Sequence, residues 1–164
     1  MTLRWKAPSP VGTLYLAASD EGLSGLWFRE PETTQDAPWL STLNGPTAAH
    51  AFLRQTVREL DEYFAGKRSA FDVPIVMVGT PFQKRVWAEL AKISYGETVS
   101  YRDIATRIGQ AGAVRAVGTA NGRNPVSIIV PCHRVIQAYG TLGGYGGGLP
   151  AKRHLLSLET HAVW

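Results

Sequence analysis

A chain of 164 residues, 45% apolar and 18% charged, has the length of one ordinary domain or two small ones and the composition of a globular protein. No apolar run approaches the roughly eighteen residues of a membrane span, and Met1–Lys6 lacks the apolar stretch and cleavage site of a signal peptide, so a cytoplasmic location is expected. The net charge of +4 is unevenly spread: residues 1–79 carry seven Lys and Arg against nine Asp and Glu, whereas residues 80–164 carry ten against four. A basic second half suits a polyanionic partner such as nucleic acid, although a solvated basic surface explains charge alone equally well.

The first third reads as strands. Thr13–Ala18 and Leu23–Phe28 flank Asp20-Glu21-Gly22, a hairpin signal. Residues 30–46, rich in Pro, Thr, Asn and Gly, form a loop. Leu53, Val57, Leu60 and Phe64 predict a helix over 50–64 that stops at Gly66. Phe71–Val78 is an extended segment that Pro74 confines to an edge or a linker. Thr80-Pro81-Phe82-Gln83 is a capping box opening a helix whose apolar face is Phe82, Val86, Trp87 and Leu90. Ser100-Tyr101-Arg102-Asp103 starts the next helix, with Ile104, Ala105 and Ile108 inward. After the tight connection Gly109-Gln110-Ala111-Gly112, a small-residue helix over 113–121 has Val114 and Val117 inward and Arg115 projecting. The pair reads as a helix-turn-helix, a pattern that plain helical hairpins share. A strand over 126–130 should deliver Cys132, and a last helix from Leu149-Pro150 should carry Leu155, Leu156, Leu158 and Glu159. The expected fold is α+β: a small α/β domain over 1–78, with an antiparallel sheet and a helix, then a mainly helical domain over 79–164.

Cys132 is the only cysteine. It excludes an internal disulfide, a multi-cysteine zinc site and a resolving thiol. A lone cysteine after an apolar run is ordinarily a small buried hydrophobe. Here His133 and Arg134 follow it, and an imidazole or a cation is what activates a thiol. One nucleophile, one imidazole, a helix-turn-helix and a basic half together imply chemistry on a nucleic acid.

Three segments go further: Gly79-Thr80-Pro81-Phe82-Gln83; Asn124-Pro125 upstream of Pro131-Cys132-His133-Arg134-Val135; and Gly144-Tyr145 among glycines. Over residues 71–160, and more loosely before them, the chain resembles the O⁶-alkylguanine-DNA alkyltransferases in their bacterial form. That resemblance implies direct-reversal repair. O⁶-alkylguanine, and O⁴-alkylthymine with it, is flipped out of duplex DNA bound through the minor groove, because a thiolate cannot reach the alkyl group inside the stack. The alkyl group then passes irreversibly to Cys132, without a cofactor or a metal, in a monomer for which cooperative binding along DNA is left open.

The resemblance also implies roles. His133 takes the thiol proton through a water and is oriented by Glu159, while Asn124 braces the helix-turn-helix against the active-site strand. Tyr101 donates to guanine N3 and lies near the flipped nucleotide's phosphate. Arg115 fills the space left by the base, with Ala116 and Arg123 beside it on the DNA. Tyr145 walls the pocket, the Gly146 N–H serves O⁶, and the carbonyls of Cys132 and Val135 accept the guanine amine. Lys152 matches a pocket-side lysine, although a lysine on a helix is by default a surface residue. Asn121 and Gly146 replace the Met and Ser of animal members, which bears on pocket width. Without the resemblance, Glu159 would be a solvated charge, Asn124-Pro125 a plain turn and Tyr101 a half-buried core residue. A cysteine hydrolase using Cys132, His133 and Glu159, a non-catalytic damage-binding module and a transcription regulator are the competing readings.

Overall fold

A computed structural model describes residues 1–32 and 37–164, which divide into two units, Met1–Met77 and Val78–Trp164. In the first, β1 (Leu3–Ala7), β2 (Leu14–Ser19) and β3 (Gly22–Trp27) form an antiparallel sheet in that order. β2 and β3 are the expected hairpin. β1 was not expected, because a buried charge breaks its alternation. Arg4 lies 4.1 Å over the Trp39 ring and donates from Nε to the Ala37 carbonyl at 2.8 Å, so a residue that reads as solvent-facing is covered.

Helix α1 (Ala48–Phe64) packs across this sheet. It starts before the expected residue 50 because Thr47 caps it, with His50 completing the box. Its buried stripe is Ala49, Leu53, Thr56, Leu60 and Tyr63; Val57 and Phe64, expected inside, are only half-buried. The stripe therefore runs one residue N-terminal of the apolar spacing.

Glu59, on that stripe, is 1% exposed. Its carboxylate accepts the Asp72 N–H at 2.8 Å, the Val73 N–H at 3.2 Å and Gln55 Nε2 at 2.8 Å. These bonds fix the chain entering the predicted edge segment, where Leu23 pairs with the Pro74 carbonyl and the Val76 N–H, both at 2.8 Å. Pro74, which has no N–H to give, sits where only its carbonyl is used. Glu59→Ala should leave two backbone donors unsatisfied and destabilise this unit by about 3 kcal/mol, read as a lowered urea midpoint with little change in slope.

In the second unit the elements are α2 (Pro81–Leu90), β4 (Val99–Ser100), α3 (Tyr101–Arg107), α4 (Val114–Gly122), β5 (Val135–Ile136) and α5 (Leu149–Thr160). The expected capping box of Thr80 with Gln83 forms, and Ser100 makes another with Asp103. Val86, Trp87 and Leu90 bury α2, while Phe82 is half-buried. Trp87 Nε1 donates to the Ala120 carbonyl at 2.9 Å, locking α2 to α4. Gly79 lies against the same indole, and a Cβ there would fall 2.5 Å from the ring. On α4 the inward residues are Val117, Ala120 and Asn121, with Val114 only half-buried. Leu158 of α5 is likewise half-buried, its place taken by Lys152 and Glu159.

The strand expected over 126–130 is absent. That stretch is a compact turn in which the Ile129 N–H bonds the Ser127 carbonyl and the Val130 N–H bonds the Val126 carbonyl. Ile128 has φ +70°, a left-handed backbone that β-branched residues rarely adopt, and its side chain is 1% exposed. Apolar alternation in a buried turn cannot be told from that of a strand. Among the described residues no helix is long and apolar enough to cross a membrane.

Candidate active site

Cys132 opens a single 3₁₀ turn, Cys132–Arg134, directly after the compact turn. Asn124 spans that turn. Its Nδ2 donates to the Val130 carbonyl at 2.7 Å, and its Oδ1 accepts the Val126 N–H at 3.0 Å. One side chain thus closes both ends of the segment that presents the thiol. The strand that Asn124 was expected to brace is a turn here, and both of these bonds lie within that turn.

Parallel pairing of β4 with β5 sets Val99 opposite Val135 and Ser100 opposite Ile136, so Tyr101 starts α3 beside the residues that follow the thiol. Cys132 lies at a cavity of about 360 Å³ also lined by Tyr101, Asn121, Asn124, Ser127 and Tyr145. Glycines complete the wall: Gly118 and Gly122 from α4, Gly144 and Gly146 from the loop. Gly143 must be glycine, since it has φ +68° and a Cβ would press on the Tyr101 hydroxyl at 3.3 Å. Arg115 and Ala116 are exposed on α4, and Arg123 is exposed at its C-cap.

The polar side chains that follow the thiol in the chain are enclosed. His133 Nε2 lies 2.7 Å from Glu159 Oε2, and both side chains are fully buried. Arg134, expected beside the thiol as an activating cation, turns to Glu159 and completes the cluster. Its Nε donates to Glu159 Oε1 at 2.7 Å, Nη2 to Oε2 at 3.1 Å and Nη1 to the Ile93 carbonyl at 2.7 Å. Burial alone would raise the Glu159 carboxyl, but hydrogen bonds from His133 and Arg134 and the charge of Arg134 outweigh it and hold the carboxyl at about 2. Burial lowers the His133 imidazole, against the pull of Glu159, so the ring is neutral. An ionised carboxylate accepts from Nε2–H, which leaves Nδ1 as the basic nitrogen; it has no hydrogen-bond partner among the described residues.

Burial also raises the Cys132 thiol, opposed by hydrogen bonds from Asn124 and Ser127 and by the charge of Lys152. Ser127 carried no assignment in the sequence, where it read as one polar residue in an apolar run. Lys152 overturns the surface default, being 0% exposed. Its Nζ donates to the carbonyls of Val135 at 2.7 Å, Leu142 at 2.5 Å and Gly144 at 3.3 Å. Burial brings it down to about 8, with the Cys132 charge pulling the other way. Neither Lys152 nor Val135 lines the cavity, and the Val135 carbonyl is already engaged. Lys152 therefore acts as a tether for the glycine loop.

Fold and site define a helix-turn-helix protein with one thiol at a glycine-walled cavity and a buried imidazole–carboxylate pair in the same unit. A family model described as "6-O-methylguanine DNA methyltransferase, DNA binding domain" matches residues 81–161, and its companion, "6-O-methylguanine DNA methyltransferase, ribonuclease-like domain", matches residues 4–77. The methylated-DNA–protein-cysteine methyltransferase of Methanosarcina barkeri is 44% identical over 92% of this chain and 92% of its own. That of Mycobacterium tuberculosis H37Rv is 48% identical over 92% and 88%. Among solved structures, the Mycobacterium tuberculosis O⁶-methylguanine methyltransferase superimposes with TM-score 0.82 at 45% identity, covering 98% of this chain and 94% of that one. The Mycobacterium tuberculosis protein in complex with DNA gives 0.81 at 47%, covering 96% and 92%. The chain belongs to the methylated-DNA–protein-cysteine methyltransferases, a family of DNA-repair alkyltransferases.

Two measurements follow from the buried cluster. Glu159 stays ionised in the folded protein down to about 2, against an ordinary value of 4.5. Between those values the unfolded chain binds the extra proton, so the stabilisation, present in full above 4.5, is lost as pH falls through the window. The loss should amount to about 3 kcal/mol in denaturant titrations and should be absent in Glu159→Gln. Cys132, 4% exposed and with its thiol pushed up, should react with iodoacetamide at neutral pH at least roughly tenfold more slowly than a free cysteine peptide.

Proposed function

We propose that the protein reverses O⁶-alkylguanine, and O⁴-alkylthymine at a lower rate, by a single displacement at Cys132. The observation that carries this reading is the sole thiol at the cavity, followed in the chain by a buried His133 whose ring bonds Glu159. The target atom lies within the base pair, so the nucleotide must leave the stack and enter the cavity. The exposed side of α4 suits this step. Arg115 enters through the minor groove and occupies the space of the extruded base, with Ala116 and Arg123 alongside on the backbone.

His133 Nδ1 takes the thiol proton through a water, and the thiolate attacks the alkyl carbon. The S–C bond forms as the C–O⁶ bond breaks, and its electron pair goes to the purine. Tyr101 donates to N3 and the Gly146 N–H to O⁶, so charge developing on the leaving purine meets donors at both edges. Tyr145 stacks as a wall. Ionised Glu159 stabilises the imidazolium that forms, an arrangement that serves proton acceptance better than it serves the resting thiol. The thioether product offers water no activated carbonyl, so each chain acts once. Such a protein works as a monomer, and its Lys and Arg contacts to phosphate make binding tolerant of sequence and weaker at high salt.

Intact-protein mass spectrometry after incubation with a duplex carrying one O⁶-methylguanine should show one added methyl per lesion, localised to Cys132 and absent in Cys132→Ala. Tight binding of that duplex without mass gain would make the protein a damage-recognition module. Neither transfer nor binding would reopen the hydrolase reading.

A further inference from the structure

Two asparagines line the cavity, and they differ. Asn124 uses both ends of its amide within the compact turn. Asn121, one helical turn earlier on α4, is 5% exposed, and its Oδ1 is buried with no hydrogen-bond partner among the described residues. An unsatisfied buried amide oxygen costs about 1–3 kcal/mol, and a site that bears such a cost is a candidate for function. Nothing in the fold explains a carboxamide here, since the neighbouring inward residues of α4, Val117 and Ala120, are apolar.

Resting on the alkyltransferase reading, we infer that Asn121 is a specificity-determining residue whose Oδ1 accepts a hydrogen bond from the exocyclic amine of the flipped guanine. The assignment follows by elimination. Alkylation at O⁶ leaves N1 without a proton, and N3, N7 and O⁶ carry none, so the 2-amino group is the base's only N–H donor. An acceptor in the cavity wall has no other group on the base to meet. The terminal torsion of asparagine is broad, so the oxygen can follow a donor entering the cavity. The carbonyl of Val135, expected to serve the amine, is occupied by Lys152 Nζ at 2.7 Å and lies outside the cavity lining, which leaves room for a second acceptor. O⁴-alkylthymine has no N–H donor at all, so the same contact ranks it below guanine.

The test compares single-turnover methyl transfer from two duplexes that differ by one group, O⁶-methylguanine and O⁶-methylhypoxanthine, which lacks the amine. Wild-type protein should favour the guanine duplex. Asn121→Ala and Asn121→Leu should each reduce that preference by about tenfold, with transfer from guanine slowed more than transfer from hypoxanthine. Comparing two substrates within one variant cancels any loss of folded protein. A variant that keeps the wild-type preference, or slows both duplexes equally, overturns the amine contact. Wild-type protein that methylates itself from neither duplex overturns the alkyltransferase reading, and the contact with it.

Discussion

An ionised carboxylate enclosed by protein is tolerated only where its charge is answered, and Glu159 is answered on both oxygens. His133 and Arg134 approach from the 3₁₀ turn while Glu159 hangs from α5, so this cluster ties the C-terminal helix to the segment bearing the thiol. Arg134 extends the tie to the Ile93 carbonyl beyond α2. Breaking a buried pair by removing one partner typically costs 3–5 kcal/mol, because the other charge stays behind uncompensated. The orientation of the imidazole and the placement of the nucleophile thus have one common support. Chemistry and stability in this unit are not separable at Glu159.

Desolvation sets the resting state around that support. It pushes the thiol up and the imidazole and Lys152 down, so each group is biased toward its neutral form. The ionised groups that persist are those with partners in close geometry. Lys152 illustrates the rule from the other side: three carbonyls hold its ammonium without a counter-carboxylate, and its task is to gather Val135, Leu142 and Gly144 around the cavity's edge.

Local signals in the chain announced much of this architecture. Thr80 with Gln83, and Ser100 with Asp103, marked two helix starts because capping is a short-range contract between residues three apart. The cysteine motif and its flanks likewise pointed to the site, since those residues share one segment. What stayed hidden depends on long-range partners. Arg4 needed Trp39 to be buried, Glu59 needed the backbone of Asp72 and Val73, and Lys152 needed three separate carbonyls. Charged residues of this kind read as surface because their satisfaction is invisible until the chain folds. The false strand over 126–130 has a related origin, in that burial on all sides erases the difference between a turn and an extended run.

Ile128 shows what that turn asks of its sequence. Its backbone sits where glycine or asparagine would rest without strain, yet the residue is a branched aliphatic with 1% exposure. Two preferences compete at one position, and the interior contact outweighs the local torsion. Any procedure that redesigns this protein by optimising backbone compatibility residue by residue would exchange Ile128 for glycine. It would gain torsional comfort and leave a void inside the buried turn that leads to the nucleophile. Thermostabilised versions of this scaffold are better sought on the outer faces of α1 and α5, leaving the strained residue as it is.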